Sequence, residues 1–205
     1  PSPNTLPENA QNTFDAVQTL DAVAAFPTYP ALKLNEVNNG EPDWVEIYNP
    51  TGSAVDMSQW SLRWADGNGL KAYLPLTGLT VAAHGYSVVA DGALTPTVGE
   101  YRLSSNLPWY PTRPGSAALV DPYGLGVDYV RWTALDTSSF GDDAPAGTAF
   151  TGWATGFDSQ AANRTLSRDV NSTDTDQAQD WSLNGPTPAS ANTAVSVVAS
   201  WMEYQ

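Results

Sequence analysis

The sequence predicts an all-β fold, an antiparallel β-sandwich flanked by an N-terminal arm and a C-terminal tail. From residue 31 onward, short runs rich in Val, Tyr, Trp and Leu are separated by Gly, Pro, Asn and Asp, which is typical of strands joined by tight turns. Within 43–49, Val45 and Ile47 alternate with Glu46 and Tyr48, as expected of a strand with two different faces. With 205 residues, of which 41% are hydrophobic and eight are Trp, the chain can form a core of its own.

The first 31 residues differ in composition from the rest. Residues 1–7 contain three prolines and predict an extended arm. In 12–26 an apolar residue recurs at every third position, which predicts a short amphipathic helix that ends before Pro27. We therefore expect an arm over 1–31, a sandwich over 32–192 and an extended tail over 193–205.

Nine segments of the sandwich are predicted to be strands. They are 32–38, 43–49, 60–65, 70–75, 86–90, 99–103, 117–121, 127–133 and 162–167. Residues 134–160 are rich in Gly, Asp, Ala and Thr and are predicted to form a long loop anchored by aromatic side chains.

The composition excludes several classes of function. Twenty-two acidic residues oppose eight basic ones, giving a net charge of −14, so nucleic acid and anionic membrane surfaces are poor partners. The chain has no Cys and one His, which excludes disulfides and metal centres built from Cys or several His. No apolar run approaches the roughly 20 residues of a membrane span, so we expect no membrane insertion.

The chain begins with Pro1 rather than Met, so it is expected to be processed or excised. Removal of a secretory signal peptide would place the protein outside the cell or on its surface. Excision of a domain from a longer protein explains the same observation.

Six segments of the sequence form an ordered pattern: 34–37 (LNEV), 43–50 (DWVEIYNP), 54–62 (AVDMSQWSL), 81–89 (VAAHGYSVV), 115–129 and 164–192. Taken in this order, they resemble the lamin-tail domain in its bacterial secreted form. The resemblance implies an immunoglobulin-like sandwich and a mostly non-catalytic module. Three positions depart from the family pattern: Gln59 and His84 replace glycines, and Pro188-Ala189 replaces Pro-Gly.

Candidate catalytic residues are few, and we expect the protein not to be an enzyme. His84 lies in a predicted turn and is interpreted as a surface residue rather than a general base. Glu36 and Glu46 lie on neighbouring predicted strands, where paired carboxylates could support glycoside hydrolysis. The favoured alternative is structural, with the carboxylates accepting hydrogen bonds from backbone amides or an arginine.

An acidic tract near the C-terminus is a candidate calcium site. Calcium prefers six to eight oxygen ligands, and oxygen-bearing side chains alternate along this segment. The alternative is a loop whose aspartates cap its own backbone amides. The candidate ligands are Asp169, Asn171, Asp174, Asp176 and Asp180.

Trp109 and Tyr110 lie in a proline-rich loop and are the candidate ligand-binding aromatics. They could stack on sugars or contact a protein partner, or fold back as a lid over one end of the sandwich. Trp44, Trp60 and Trp132 are predicted to be core residues.

Taken together, the sequence predicts a non-catalytic extracellular structural or adhesive subunit of a bacterial surface assembly. The arms 1–31 and 193–205 would join it to further copies or to other surface proteins by pairing with edge strands. The alternative is a polysaccharide-binding module that targets a larger secreted hydrolase.

Overall fold

The computed structural model describes eight stretches of the chain. These are residues 29–40, 42–91, 100–102, 106–110, 112–134, 138–141, 144–155 and 164–193. The predicted helix in 12–26 and the tail beyond residue 193 lie outside the described residues.

Within these stretches the chain forms twelve β-strands and a single 3-10 turn. The strands are β1 (Lys33–Asn38), β2 (Trp44–Tyr48), β3 (Val55–Asp56), β4 (Ser61–Asp66), β5 (Lys71–Pro75), β6 (Thr80–Val81), β7 (Tyr86–Ala90), β8 (Glu100–Arg102), β9 (Gly115–Val120), β10 (Gly126–Trp132), β11 (Thr165–Ser167) and β12 (Ser182–Asn184), and the turn is Ala178–Asp180. All nine predicted strands are present. The sequence did not predict β3, β6 and β12.

Two sheets pack face to face and confirm the predicted sandwich. A six-stranded sheet has the order β12-β11-β1-β2-β7-β8, and a four-stranded sheet has the order β10-β9-β4-β5. The pairings are antiparallel except for β7 with β8. The short strands β3 and β6 form a separate two-stranded ribbon.

The hydrophobic core lies between the two sheets. Val45 and Ile47 of β2 point into it, together with Leu62 of β4 and Trp132 of β10. Trp60 and Trp132 are core residues, as predicted. Trp44 is also buried, but it packs with Val88 and Ala90 on the outer face of the six-stranded sheet.

A β-bulge in β1 decides which of its side chains reach the core. Leu34 pairs with Ile47, but the register then shifts by one residue so that Glu36 pairs with Glu46. Leu34 and Val37 both face the core because of this extra residue, whereas regular alternation would place Leu34 and Glu36 on the same face. The bulge therefore directs Glu36 to the outer face of the sheet.

A buried ion pair joins the two sheets at this bulge. Arg168 follows β11, and its Nη2 lies 2.9 and 3.0 Å from the carboxylate oxygens of Asp128 on β10. The Asp128 carboxylate accepts a hydrogen bond from the Leu34 N–H, and Arg168 Nε donates to the Leu34 carbonyl. Burial raises the pKa of Asp128, while the Arg168 guanidinium acts in the opposite direction. Both polar groups of the Leu34 backbone are thus held by one side-chain pair.

We expect Gly115→Ala to destabilise the sandwich, because a Cβ at this position would lie 2.6 Å from Trp132 Cζ2 and 2.9 Å from Cε2. Trp132 is fully buried and cannot move aside, so the loss should be about 1–3 kcal/mol in the free energy of unfolding. Urea denaturation measures it. Gly141→Ala is the matched control, since no atom of the described residues, its chain neighbours aside, lies within 4 Å of the added Cβ. Equal stability of the two variants would contradict this account of the core.

Candidate functional site

Glu36 and Glu46, the carboxylate pair, lie opposite each other on the outer face of the six-stranded sheet. Both side chains are fully buried. Asn35, the extra residue of the bulge, donates from Nδ2 to Glu46 Oε1 at 2.7 Å. Thr165 on β11 donates its hydroxyl to Glu36 Oε1. The sequence correctly predicted that these two glutamates lie on neighbouring strands.

A turn that follows β12 covers the carboxylate pair. The Thr187 N–H and hydroxyl donate to Glu36, with the hydroxyl 2.9 Å from Oε2. The Ala189 N–H donates to Glu46 Oε2 at 2.6 Å. Asn192 then fastens the end of this segment by donating to the Asn35 and Arg168 carbonyls. The carboxylate pair therefore fixes where the C-terminal segment leaves the sandwich.

The 187–190 turn has the features of a type II β-turn. The Ser190 N–H donates to the Thr187 carbonyl at 3.1 Å, and Pro188 occupies the second position. Ala189 occupies the third with a φ of 61°, where type II turns normally require glycine. This is where the sequence replaces the family's Pro-Gly by Pro-Ala. The departure is visible in the sequence, but nothing in the local pattern connects it to the glutamates.

Burial determines the charge state of the carboxylate pair. Desolvation raises the pKa of Glu46 to about 8; the Asn35 hydrogen bond opposes this shift, and the neighbouring Glu36 adds to it. Desolvation also raises the pKa of Glu36, against the hydrogen bonds from Thr165 and Thr187. Glu46 is thus expected to hold a proton at neutral pH.

The arrangement suits attachment of a chain segment rather than hydrolysis of a substrate. The four carboxylate oxygens accept hydrogen bonds from the protein's own donors: Asn35, Thr165, Thr187 and Ala189. The 187–190 turn lies where a sugar would have to bind. This is the structural alternative that the sequence favoured, although the donors are not the arginines considered there.

The acidic tract is organised around Arg168. Its guanidinium Nη1 lies 3.0 Å from Asp174 Oδ1 and 3.5 Å from Asp180 Oδ2. Trp181 lies beneath the same group, with its ring centre 4.7 Å from Cζ. Asp174 and Asp180 thus help Asp128 to neutralise the positive charge of the fully buried Arg168 side chain.

Asp169 and Asp180 also cap the loop backbone. Asp169 Oδ1 accepts hydrogen bonds from the Asn171 and Thr173 N–H groups, and Asp180 Oδ2 accepts from the Thr175 N–H. These bonds lower the pKa of both aspartates although partial burial acts in the opposite direction. Asp176 is exposed and has a φ of 57°.

Within the described residues, no three His, Cys, Asp or Glu side chains are arranged to hold a metal ion. The geometry of the tract is that of the backbone-capping alternative. Calcium binding by Asp169, Asn171, Asp174, Asp176 and Asp180 stays a prediction.

The predicted aromatic pair is divided between core and surface. Trp109 is buried, and its indole Nε1 donates to the Ala65 carbonyl at 3.1 Å. Its backbone N–H donates to Asp43, and its ring packs edge-on against Trp132. Tyr110 remains 52% exposed, with the Arg113 guanidinium 4.9 Å from its ring centre. Trp109 therefore closes one end of the sandwich and offers no free ring to a ligand.

Comparison with known protein families identifies the fold. The family model described as the lamin tail domain matches residues 26–134, which is more than half of the chain. The chain belongs to the lamin tail domain family. No curated protein matches the chain significantly. The resemblance seen in the sequence extended to residue 192, and β11 and β12 lie beyond the matched residues although they pair into the same sheet.

The lamin tail domain is an immunoglobulin-like family of non-enzymatic modules. In this chain His84 is a surface residue, as the sequence predicted. His84 lies in a turn with a φ of 51° and is exposed. This left-handed conformation explains why the family often has glycine there.

In the described part of the chain, no helix is long and apolar enough to span a membrane.

The two edges of the four-stranded sheet differ. The β10 edge is occupied by residues 146–154, because Gly126 N–H donates to Ala146 O and Thr133 N–H donates to Ala154 O. The β5 edge pairs with β4 on one side only, as far as the described residues show. Tyr73 of β5 is 54% exposed, and the preceding Leu70 is 61% exposed. Among the described strands, β5 is therefore an edge that carries apolar side chains.

We expect the stability of this lamin tail domain to fall as pH rises from about 5 to 8. The folded protein holds a proton on Glu46 up to a pKa of about 8, whereas the unfolded chain releases it near 4.5. The stabilisation is complete below the unfolded pKa and is lost as pH rises through the folded one. At about 1.4 kcal/mol per pKa unit, the loss should exceed about 2 kcal/mol.

Urea denaturation across this pH range measures the slope. Glu46→Gln removes the titrating group, so its stability should depend less on pH even if its absolute stability is lower. Asp176→Asn removes one exposed carboxylate and should keep the wild-type slope. Parallel pH profiles for wild type and Glu46→Gln would contradict the assignment.

Proposed function

We propose that this lamin tail domain is a non-catalytic structural or adhesive subunit of an extracellular bacterial surface assembly. In this proposal, a terminal arm of one subunit, 1–31 or 193–205, adds a strand to β5 of the next subunit. The observation that carries the proposal is the edge of β5, which pairs with no second strand among the described residues. An immunoglobulin-like family whose members are interaction modules supports the general function of binding protein chains.

Edge strands bind extended segments through their free backbone groups, and exposed side chains then give specificity. Tyr73 and Leu70 supply apolar side chains at this edge. Burial of one such side chain contributes about 1.5–3 kcal/mol, which is sufficient to select an apolar arm over a polar one.

The composition of the C-terminal arm suits this role. Residues 193–205 read TAVSVVASWMEYQ, in which Val195, Val197 and Trp201 alternate with serines and carry high strand propensity. The carboxylate pair anchors the 187–190 turn only three residues before this arm begins. The arm therefore starts from a fixed point on the sandwich.

The extracellular location is supported by the composition. The net charge of −14 opposes nonspecific aggregation, which suits a protein that acts outside the cell, while a chain without Cys suits either redox compartment. If every subunit donates one arm in the same direction, the assembly is head-to-tail and forms a ring or a filament.

Size-exclusion chromatography with light scattering tests this function on the full chain. We expect species larger than the 21.8 kDa monomer that revert to monomer when the donating arm, 1–31 or 194–205, is removed. Tyr73→Lys should weaken assembly about tenfold or more, because it places a charge on the strand edge. Val170→Lys changes an equally exposed apolar residue away from β5 and is the control.

Two results would contradict the proposal. One is a monomer at every concentration up to the millimolar range. The other is an assembly that persists without either arm or is equally weakened by both lysine variants.

A further inference from the structure

A polar cleft with aromatic walls lies at the end of the sandwich beside Tyr29. Its volume is about 240 Å³, and it is lined by Tyr29, Asp56, Ser58, Gln59, Trp60 and Pro122. The residues come from three places in the fold: the segment before β1, the β3–β4 connection and the β9–β10 turn. Neither the carboxylate pair nor the β5 edge contributes to it.

The aromatic rings of the cleft meet at an angle. Tyr29 and Trp60 have ring centres 5.6 Å apart and planes inclined by 72°. On its other side Tyr29 contacts Tyr123, whose ring centre is 5.4 Å away. Tyr123 is 48% exposed, whereas Trp60 is largely buried and packs against the Tyr29 ring. Rings inclined to each other in this way form a corner rather than a flat platform.

The charge of the cleft is negative. Asp56 Oδ1 accepts hydrogen bonds from the Ser58 N–H and hydroxyl, and these bonds lower the pKa of Asp56. Asp121 also acts electrostatically on Tyr29. No Lys, Arg or His is among the six described residues that line the cleft.

We propose that this cleft binds the cationic side chain of a lysine or arginine from a partner protein. Tyr29 is the partly exposed ring of the cleft; an aromatic ring attracts a cation to its negative face, and the Asp56 carboxylate that also lines the cleft supplies the opposite charge. A sugar would instead need an open, flat ring for stacking, and the most exposed ring here, Tyr123, does not line the cleft. The proposal rests on the general part of the proposed function, namely that the domain binds other protein chains.

The β9–β10 turn contributes Pro122 to the cleft and places the Tyr123 ring against Tyr29 from outside the cleft. Asp121 Oδ1 accepts hydrogen bonds from the Tyr123 and Leu125 N–H groups at 2.8 and 2.9 Å. Gly124 completes the turn with a φ of 82°. The position of Tyr123 is thus set by the backbone before any ligand binds, which limits the entropy lost on binding.

Titration of the ¹⁵N-labelled full chain, followed by amide chemical shifts, tests the proposal. The probes are Nα-acetyl-lysine amide and Nα-acetyl-arginine amide, with Nα-acetyl-norleucine amide as the uncharged control and methyl β-glucoside as the sugar control. We expect saturable amide shifts at residues 56–60, 123 and 124 for the two cationic probes only. Raising the salt concentration should weaken both.

Two charge-matched variants make the test specific. Asp56→Asn should weaken binding about threefold, as expected for loss of one exposed ion-pair partner. Asp176→Asn removes the same charge from an exposed loop distant in sequence and should change nothing. The exposed position of Asp56 makes a folding defect in Asp56→Asn unexpected, and the amide spectrum itself reports it.

Four results would overturn the proposal: shifts with the glucoside instead of the cations, equal shifts with norleucine amide, equal weakening by both variants, or no shift at these residues. Failure of the assembly experiment alone leaves the cleft result intact, since the probes bind a monomer equally well. If a filament forms through β5 but neither cationic probe binds to the cleft, this inference alone is overturned.

Discussion

The buried ion pair between Asp128 and Arg168 is the interaction on which the rest of the structure depends. It spans the two sheets and binds both the N–H and the carbonyl of Leu34, at the bulge of β1. A buried cation without partners would be too costly to retain. Arg168 is therefore surrounded by Asp128, Asp174, Asp180 and the face of Trp181, and the acidic tract exists in this form because the cation must be neutralised.

The bulge connects this pair to the outer surface. Since it inserts one residue between Leu34 and Glu36, Leu34 and Val37 remain in the core while Glu36 faces outward beside Glu46. The two carboxylates then hold the 187–190 turn through its backbone N–H groups. The Asp128–Arg168 pair lies between the sheets, on the core side of β1. Through the bulge it determines where the C-terminal arm begins on the outer side.

Much of this fold could be predicted from the sequence, because the alternation of inward-facing and outward-facing residues is visible within strands such as 43–49. The strands β3, β6 and β12 were missed because two or three residues are too few to show alternation. The sequence left two possibilities for Trp109, a ligand-binding ring or a lid folded back over one end of the sandwich. Asp43 and the Ala65 carbonyl, both distant in sequence, hold it inside as a lid. The proximity of Glu36 and Glu46 followed from neighbouring strands. The turn that covers them is 151 residues from Glu36, and no local pattern could reveal that contact.

A double-mutant cycle on Asp128 and Arg168 tests the central claim most directly. The free energy of unfolding would be measured in urea for Asp128→Asn, Arg168→Met and the double variant. Each single variant should lose about 3–5 kcal/mol, because it leaves a buried group without its partner. The double variant should be more stable than the sum of the two losses predicts, with a coupling energy of at least about 1.5 kcal/mol. Losses that add within about 0.5 kcal/mol would show that the two residues act independently, which would contradict the account.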